Sequence, residues 1–165
     1  MTGSIPRERL EAERDTSLWH KKLQALHAYW RSLCRGELLP RRHEIDPVAI
    51  PHLLDSLYLI NIEREPLAFR YRLIGTKLVD YRGRELKGLT MEEAHAEFAT
   101  SAARQHYVDL AESGALQWRK GPVQFNWGQG RATIERLLLP LASDGRIPDC
   151  IIGMSVFSDE RGRET

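Results

Sequence analysis

The sequence predicts a single α+β domain built on one five-stranded antiparallel sheet. Two observations carry this fold class: two short strand-like runs separated by a tight turn lie in the middle of the chain, and three more such runs follow a helical stretch. A third observation is that the 165 residues contain neither an internal repeat nor a low-complexity linker. A parallel Rossmann-like sheet is disfavoured because the hairpins are local and short.

Composition restricts the class of protein further. A hydrophobic content of 42%, a charged content of 28% and a net charge of +1 are typical of an ordered globular domain. No run of apolar residues is long enough to span a bilayer, and the chain starts with a charged stretch, so we expect a cytoplasmic protein without a membrane partner. The only basic cluster, Arg35 with Arg41, Arg42 and His43, is local. We therefore expect no nucleic-acid partner.

The N-terminal part divides into a charged arm, residues 1–15, which we expect to be partly helical, and an amphipathic helix, residues 16–36, which Gly36 ends. The apolar residues of this helix recur at steps of three and four: Trp19, Leu23, Leu26, Trp30 and Leu33. Two interpretations remain open at this point. The stripe covers the protein's own sheet, or it forms the seam of a homodimer.

The domain proper is predicted over residues 37–158. Asp46 caps a helix that begins at Pro47 and that Pro51 interrupts. The runs 57–63 and 68–75 then form a hairpin in which Glu63 faces Ala68. In this register Ile60 and Ile62 lie beside Tyr71 and Phe69 on one face, and Leu59 and Asn61 share the other face with Arg72 and Arg70.

The second half begins with a helical turn over residues 76–81. Thr90 then caps one long helix that runs from Met91 to Ala111 and ends or bends at Gly114. Three antiparallel strands complete the sheet over residues 122–127, 132–139 and 149–157, and residues 159–165 form a tail.

Motifs that carry chemistry are mostly missing. The sequence has no Walker loop, no dinucleotide-binding fingerprint and no nucleophile elbow, and we identify no catalytic residue. His20 and His27, and likewise Glu92 and His95, lack further ligands at metal-binding spacing, so we expect no metal. Neither His95 nor His106 lies in a haem-attachment motif, so haem is not expected and no motif indicates any other cofactor. Cys34 and Cys150 are predicted to be reduced and buried.

Several ordered strings are more informative than periodicity. They are Ala28 to Leu33, Leu39 to Arg42, Ile45 to Pro47, Phe69 to Thr76, Gly83-Arg84, Gly88, Leu139 to Leu141 and Asp144-Gly145. As an ordered set, which spans residues 19–157, this pattern resembles a family of short bacterial PAS-domain proteins.

The resemblance implies a PAS-like sheet in the strand order 2-1-5-4-3 with connecting helices over one face. It also implies a sensory or protein-interaction module, often dimeric through an N-terminal amphipathic helix, at the place of the stripe described above. Only eight residues follow Phe157, so we expect any signal to leave by contact with a protein signalling partner.

Three functions remain in competition. The first is a sensory module that binds a small apolar or amphipathic ligand, or relays a partner's state, through a cavity between sheet and helices. The candidate lining residues are Ile60, Tyr71, Leu73, Leu78, Phe98, Ile152 and Met154. The second is an interaction adaptor whose cavity is filled by its own side chains, and the third is an enzyme that uses Arg72, Asp80 and Arg84.

Overall fold

The structure is a computed structural model that describes residues 15–165. Almost the whole predicted arm, residues 1–15, lies outside the described residues. The α-helices are α1 (Lys21–Leu33), α2 (Thr76–Arg82), α3 (Met91–Ala94) and α4 (Ala102–Ser113). The strands are β1 (Leu57–Glu63), β2 (Ala68–Ile74), β3 (Gln117–Pro122), β4 (Thr133–Leu141) and β5 (Cys150–Ser158). None of the described helices combines the length and the apolar character that crossing a membrane requires.

The five strands form one antiparallel sheet in the order β2-β1-β5-β4-β3, which confirms the predicted topology. The β1–β2 hairpin has the predicted register from Glu63 opposite Ala68 to Ile60 opposite Tyr71. The register then shifts between Leu59 and Ile60, so that Leu59 faces Leu73 and not Arg72. This bulge adds one residue to β2 and reverses the face on which the following side chain lies.

The N-terminal helix α1 packs against β4 and β5. It begins at Lys21, later than predicted, because His20 is the capping residue: its side chain accepts a hydrogen bond from the Lys22 amide. The Glu135 carboxylate of β4 accepts a hydrogen bond from the His20 amide at 2.7 Å. A negative charge at this end complements the helix dipole.

The apolar stripe of α1 is buried within the monomer. Leu23, Leu26 and Trp30 have no exposed surface, and the Trp30 indole donates a hydrogen bond to the Pro140 carbonyl at 2.9 Å. Trp19 is also buried and Leu33 is half-buried. The stripe therefore covers the protein's own sheet, and a dimer seam through Trp19, Leu23, Leu26 and Trp30 would require α1 to leave that sheet.

Three short 3-10 helices connect α1 to the sheet: Arg42–Glu44, then Pro47–Ala49 and Pro51–Ser56. Asp46 and Pro51 define the last two. Asp46 caps Pro47–Ala49 as predicted, since its carboxylate accepts a hydrogen bond from the Val48 amide at 3.0 Å. Pro51 begins the next 3-10 helix, because its nitrogen has no proton to donate to the hydrogen bonds of the preceding one.

The long helix predicted from Met91 to Ala111 is wrong, because the chain forms two helices there. Thr90 caps α3 through a reciprocal capping box with Glu93, but α3 ends after Ala94. His95 then takes an extended conformation, and a 3-10 turn leads to α4. His95 itself is fully buried at this break.

The first strand of the C-terminal meander was also predicted in the wrong place. The strand is Gln117–Pro122, which pairs with Thr133–Leu138 of β4, and the apolar run 122–127 is mostly loop. Its aromatic side chains pack inward as separate anchors, with Trp127 buried and Phe125 partly buried. Strand β3 is an edge strand with charged residues, so its pattern lacks clear alternation.

Two hydrophobic clusters lie on opposite faces of the sheet. The inner cluster lies between the sheet and helices α2, α3 and α4, and the outer cluster lies between the sheet, α1 and the 3-10 helices. Side chains of β5 alternate between them: Ile151 and Phe157 are inner, and Ile152 and Met154 are outer. These two faces carry the candidate sites.

Candidate functional site

The predicted pocket residues do not converge on one face of the sheet. Four of them lie in the inner cluster: Ile60, Tyr71, Leu78 and Phe98. The other three, Leu73, Ile152 and Met154, lie on the outer side. Ile152 and Met154 lie on the outer side because side chains alternate along β5. Leu73 lies there because the bulge in the hairpin brings it opposite Leu59. The single inner pocket predicted from sequence is therefore wrong for these three residues.

Aromatic side chains of the chain itself occupy the inner side. Phe98 lies at the centre, with ring centroids 5.3 Å from Tyr107, 6.2 Å from Phe125 and 6.3 Å from Phe69. Tyr58 and Tyr71 meet edge to face at 6.2 Å. Such edge-to-face and tilted contacts are the favourable arrangements for aromatic pairs in a core.

His95 is the polar centre of this inner cluster. It is fully buried, and its Nε2 atom forms a 2.8 Å hydrogen bond with the Tyr71 hydroxyl. Its ring stacks on Phe125 at 4.4 Å and lies 5.1 Å from Trp127. The Nδ1 atom is buried and has no hydrogen-bond partner among the described residues.

The surroundings of His95 keep its imidazole neutral. Burial first, and then the positive charges of Arg82 and Arg84, together lower the pKa of His95 from 6.5 to about 3. Both arginines donate hydrogen bonds to the Ala94 carbonyl at the end of α3, so they close this side of the cluster. Unpartnered polar atoms in such places often mark functional positions.

A second polar chain crosses the inner face from β1 to α4. The Tyr58 hydroxyl bonds to Ser155 Oγ at 3.1 Å and to Tyr107. Arg136 of β4, itself buried, lies over the Tyr107 ring and donates a 2.7 Å hydrogen bond to Nδ1 of His106. Burial, followed by the charge of Arg136, lowers the pKa of His106.

Two of the depressions near the β1–β2 end of the sheet share Arg42 on the outer side. One is a polar cleft of about 410 Å³ lined by Arg41, Arg42, His43, Asn61, Ser143, Asp149 and Cys150. The other is an apolar groove of about 300 Å³ lined by Arg42, Ile45, Pro47, Ile50, Leu54, Leu57, Leu59, Leu73 and Ile152. Arg42 belongs to both.

The residues of the enzyme hypothesis lie apart. The Arg84 side chain contacts the carbonyls of Glu93 and Ala94 beside the inner cluster. The Arg72 charge acts on Cys150, which belongs to the outer cluster. Because the sheet separates these two arginines, they do not form one polar site with Asp80. Among residues 15–165, no three histidine, cysteine, aspartate or glutamate side chains are grouped closely enough to hold a metal ion.

The cysteines are free, and Cys150 is buried while Cys34 is half-buried. Burial raises the pKa of the Cys150 thiol to about 11, although Arg42 and Arg72 act in the opposite direction. Such a thiol is protonated at neutral pH and behaves as a small apolar side chain.

Sequence reasoning missed the role of Phe125 and Trp127 as interior anchors and the burial of Arg136. The aromatic residues were assigned to a strand because they lie in an apolar run. Gly121 and Pro122 precede these aromatic residues, and Gly128 follows them. Turn-forming residues on both sides were the available signal for a structured loop. Nothing in the local pattern of β4 distinguishes the buried Arg136 from a surface charge.

The strand order with helices α2, α3 and α4 on one face is that of the PAS fold. The sequence profile of the PAS domain matches residues 18–156, and the chain belongs to the PAS domain family. A solved structure of the PAS domain from Bordetella pertussis BvgS is similar, with 19% sequence identity and a TM-score of 0.47. The match covers 69% of this chain and 84% of that chain. A search of curated proteins finds no match.

Proposed function

We propose that this PAS domain is a signalling module that acts by contact with another protein, and that its interior is a packed core. PAS domains are generally sensory or signalling modules, and the family membership supports that general class. The observation that favours contact over an interior ligand is the occupancy of the inner side by the protein's own aromatic rings.

The contact between Tyr58 and Gly153 illustrates this occupancy. A Cβ atom placed on Gly153 would lie 2.2 Å from Cε2 of Tyr58, so the ring lies directly on the backbone of β5. A ligand resting on the centre of the sheet would need this same space. Tyr58 is in turn held by Ser155 and Tyr107, so moving it would also break buried hydrogen bonds.

Mass spectrometry under non-denaturing and denaturing conditions tests the packed interior. We expect both spectra to give the mass of the polypeptide alone. A mass increment that denaturation removes, and that a His95→Leu variant lacks, would overturn the proposal in favour of an interior ligand.

Photo-crosslinking in the cells that produce the protein tests the contact. A photoreactive residue is placed in turn at the exposed apolar positions Leu18, Val48 and Ile147, which lie in different parts of the fold. We expect a crosslinked protein product from at least one of them and none from a buried position such as Phe98. If none of the exposed positions gives a product, the proposal is wrong.

A small-ligand sensor is the second candidate function, and the buried Nδ1 atom of His95 favours it. A ligand with a polar atom in the plane of the imidazole could bond to Nδ1, and a planar ring carried by that ligand could replace Phe125 on the face of His95. A Phe125→Ala variant opens that place. Native mass spectrometry of the variant after incubation with imidazole or indole then reports whether the vacated position accepts a planar ring.

A further inference from the structure

The two depressions that share Arg42 on the outer side are adjacent to each other. Their volumes, about 410 and 300 Å³, are those of small-ligand sites. One depression is polar and the other is almost entirely apolar. We refer to the two together as the outer site.

The apolar half has a buried floor and an exposed rim. Ile50, Leu57 and Ile152 form the floor and are buried against the sheet. Leu54 and Leu73 form the rim, with 39% and 49% of their surface exposed. Exposed leucines that border a concave apolar surface favour a bound apolar group, because its binding would remove both from water.

The β1–β2 bulge creates this rim. Without the register shift between Leu59 and Ile60, Arg72 would face Leu59 and Leu73 would lie on the inner side. The bulge therefore brings Leu73 opposite Leu59, to the mouth of the groove. Bulges of this kind often redirect a side chain beside a functional site.

The polar half contains two arginines. Arg41 and Arg42 line it together with His43 and Asn61. Within residues 15–165, no salt bridge involves Arg41 or Arg42. The cleft contains one carboxylate, Asp149, which would repel an anion.

The carboxylates near these arginines are already engaged elsewhere. Asp149 accepts hydrogen bonds from the Ser143 amide and hydroxyl. Glu44, which follows the basic stretch, pairs with Arg35 at 2.8 Å. The cleft thus keeps two guanidinium groups with donors to spare, and a guanidinium binds a carboxylate through two parallel hydrogen bonds.

A second copy of the chain is a poor occupant of this face. In a two-fold dimer the same patch would meet itself, and the Arg41 and Arg42 of each protomer would then approach one another. Like charges across an interface are unfavourable. An occupant with a negative group is complementary to the patch.

We propose that the outer site binds a small amphipathic carboxylate, with its acyl chain in the apolar groove and its carboxylate at Arg42. This goes beyond the proposed function, because it adds a ligand input on the surface to a module that acts by contact. The position of Arg42 at the junction of the two halves matches the position of the head group between an apolar chain and a polar cleft.

Isothermal titration calorimetry with decanoate, at concentrations below micelle formation, tests this site. We expect saturable binding of one decanoate, and about tenfold weaker binding of decanol, which has the same chain without the charge. Arg42→Glu and Leu73→Asp should each weaken decanoate binding by about tenfold or more. Both side chains are exposed, so the variants are expected to fold.

The matched controls change the same residue types at exposed positions elsewhere. Arg161→Glu and Leu18→Asp should leave decanoate binding unchanged, since neither residue lines the outer site. The proposal is overturned if decanoate does not bind, if decanol binds equally well, or if Arg42→Glu binds as the wild type does. Binding only of an acidic amphipathic peptide, and not of decanoate, would assign the site to a protein partner and would also overturn it.

Discussion

His95 combines full burial, one hydrogen bond and one unpartnered nitrogen in a single side chain. Burial, together with the charges of Arg82 and Arg84, lowers its pKa from 6.5 to about 3. Between these two pH values the unfolded chain binds a proton at this position and the folded chain does not. The stability contributed by neutral His95 is therefore complete above pH 6.5 and is lost as the pH falls towards 3.

We accordingly predict that acid destabilises the wild type more steeply than a His95→Phe variant. The free energy of unfolding should fall by an additional ~1.4 kcal/mol per pH unit in the wild type within this window. Urea unfolding at several pH values measures how the free energy of unfolding of each protein changes with pH. Because the slopes are compared, a difference in stability at neutral pH does not affect the result. The exposed His52→Phe is the control, and equal slopes for the wild type and His95→Phe would contradict the prediction.

Gly75 illustrates a different constraint on a single residue. Its φ of −64° is open to any amino acid, so the turn conformation itself does not require glycine. The requirement comes from a close approach, because a Cβ atom would lie 2.2 Å from the Asp55 carbonyl oxygen. The Gly75 amide also donates a 2.7 Å hydrogen bond to the Leu57 carbonyl, which holds it in place.

We therefore predict that Gly75→Ala lowers the free energy of unfolding by roughly 1 to 3 kcal/mol, because the backbone at Asp55 must move. Thermal and urea unfolding measure the loss. The neighbouring exposed Thr76→Ala should change stability by less than about 0.5 kcal/mol. An equal effect of the two substitutions would show that the contact with Asp55 is relaxed at little cost.

At the scale of elements, the docking of α1 depends on one large side chain. Trp30 is fully buried and donates to the Pro140 carbonyl at 2.9 Å. Trp30→Ala should cost about 3 to 5 kcal/mol, because it leaves a cavity and an unpaired carbonyl. Trp30→Phe keeps most of the volume and should cost about 1 to 2 kcal/mol.

Chemical denaturation of both variants, with Leu33→Ala for comparison, measures these costs. Leu33 is half-buried near the end of the helix, so its truncation should cost less than that of Trp30. A Trp30→Ala variant as stable as the wild type would mean that α1 contributes little to the fold.

Elements with strong local patterns could be predicted from the sequence. The hairpin has alternating apolar residues on both sides of a tight turn, and its register was correct from Glu63 to Ile60. The bulge in β2, opposite Leu59 and Ile60, was not predictable, because the residues on both sides of it fit either register. The break at His95 likewise depends on a distant partner, Tyr71, which no local pattern contains.

The candidate site was less predictable than the fold for the same reason. A prediction without the bulge assigns Leu73 to the inner face. It therefore cannot show that Leu73 lines the apolar groove. The alternation of β5 was visible in the sequence, but assigning a face to Ile152 and Met154 requires the pairing with both β1 and β4. Periodicity shows which residues share a face, and tertiary pairing decides which face it is.

At the scale of the whole molecule, the sheet separates two layers of different character. The inner layer is aromatic and has buried polar groups, and the outer layer is largely aliphatic and borders a cationic cleft. Helix α1 covers β4 and β5, whereas the groove lies beside β1 and β2. The part of the outer face that α1 does not cover is the part that carries the exposed leucines.

The homodimer predicted from the α1 stripe stays a prediction, and the structure restricts how it could form. Because Leu26 of α1 is fully buried between this helix and the protomer's own sheet, a dimer through the stripe must exchange α1 between two chains, which is domain swapping. We expect no such exchange, since the His20 amide at the start of α1 donates to Glu135 of β4, and His20 and Lys22 also join α1 to Glu164 of the C-terminal segment.

Sedimentation velocity of the wild type and Leu26→Ala at matched concentrations tests this expectation. The substitution should lower stability by about 2 to 5 kcal/mol, because it leaves a cavity between α1 and the sheet. At temperatures where circular dichroism shows both proteins folded, their sedimentation coefficients should be equal, since any dimer would use a surface other than the stripe. A wild-type dimer that becomes a folded monomer in Leu26→Ala would instead show that α1 is exchanged between chains and that the stripe is the seam.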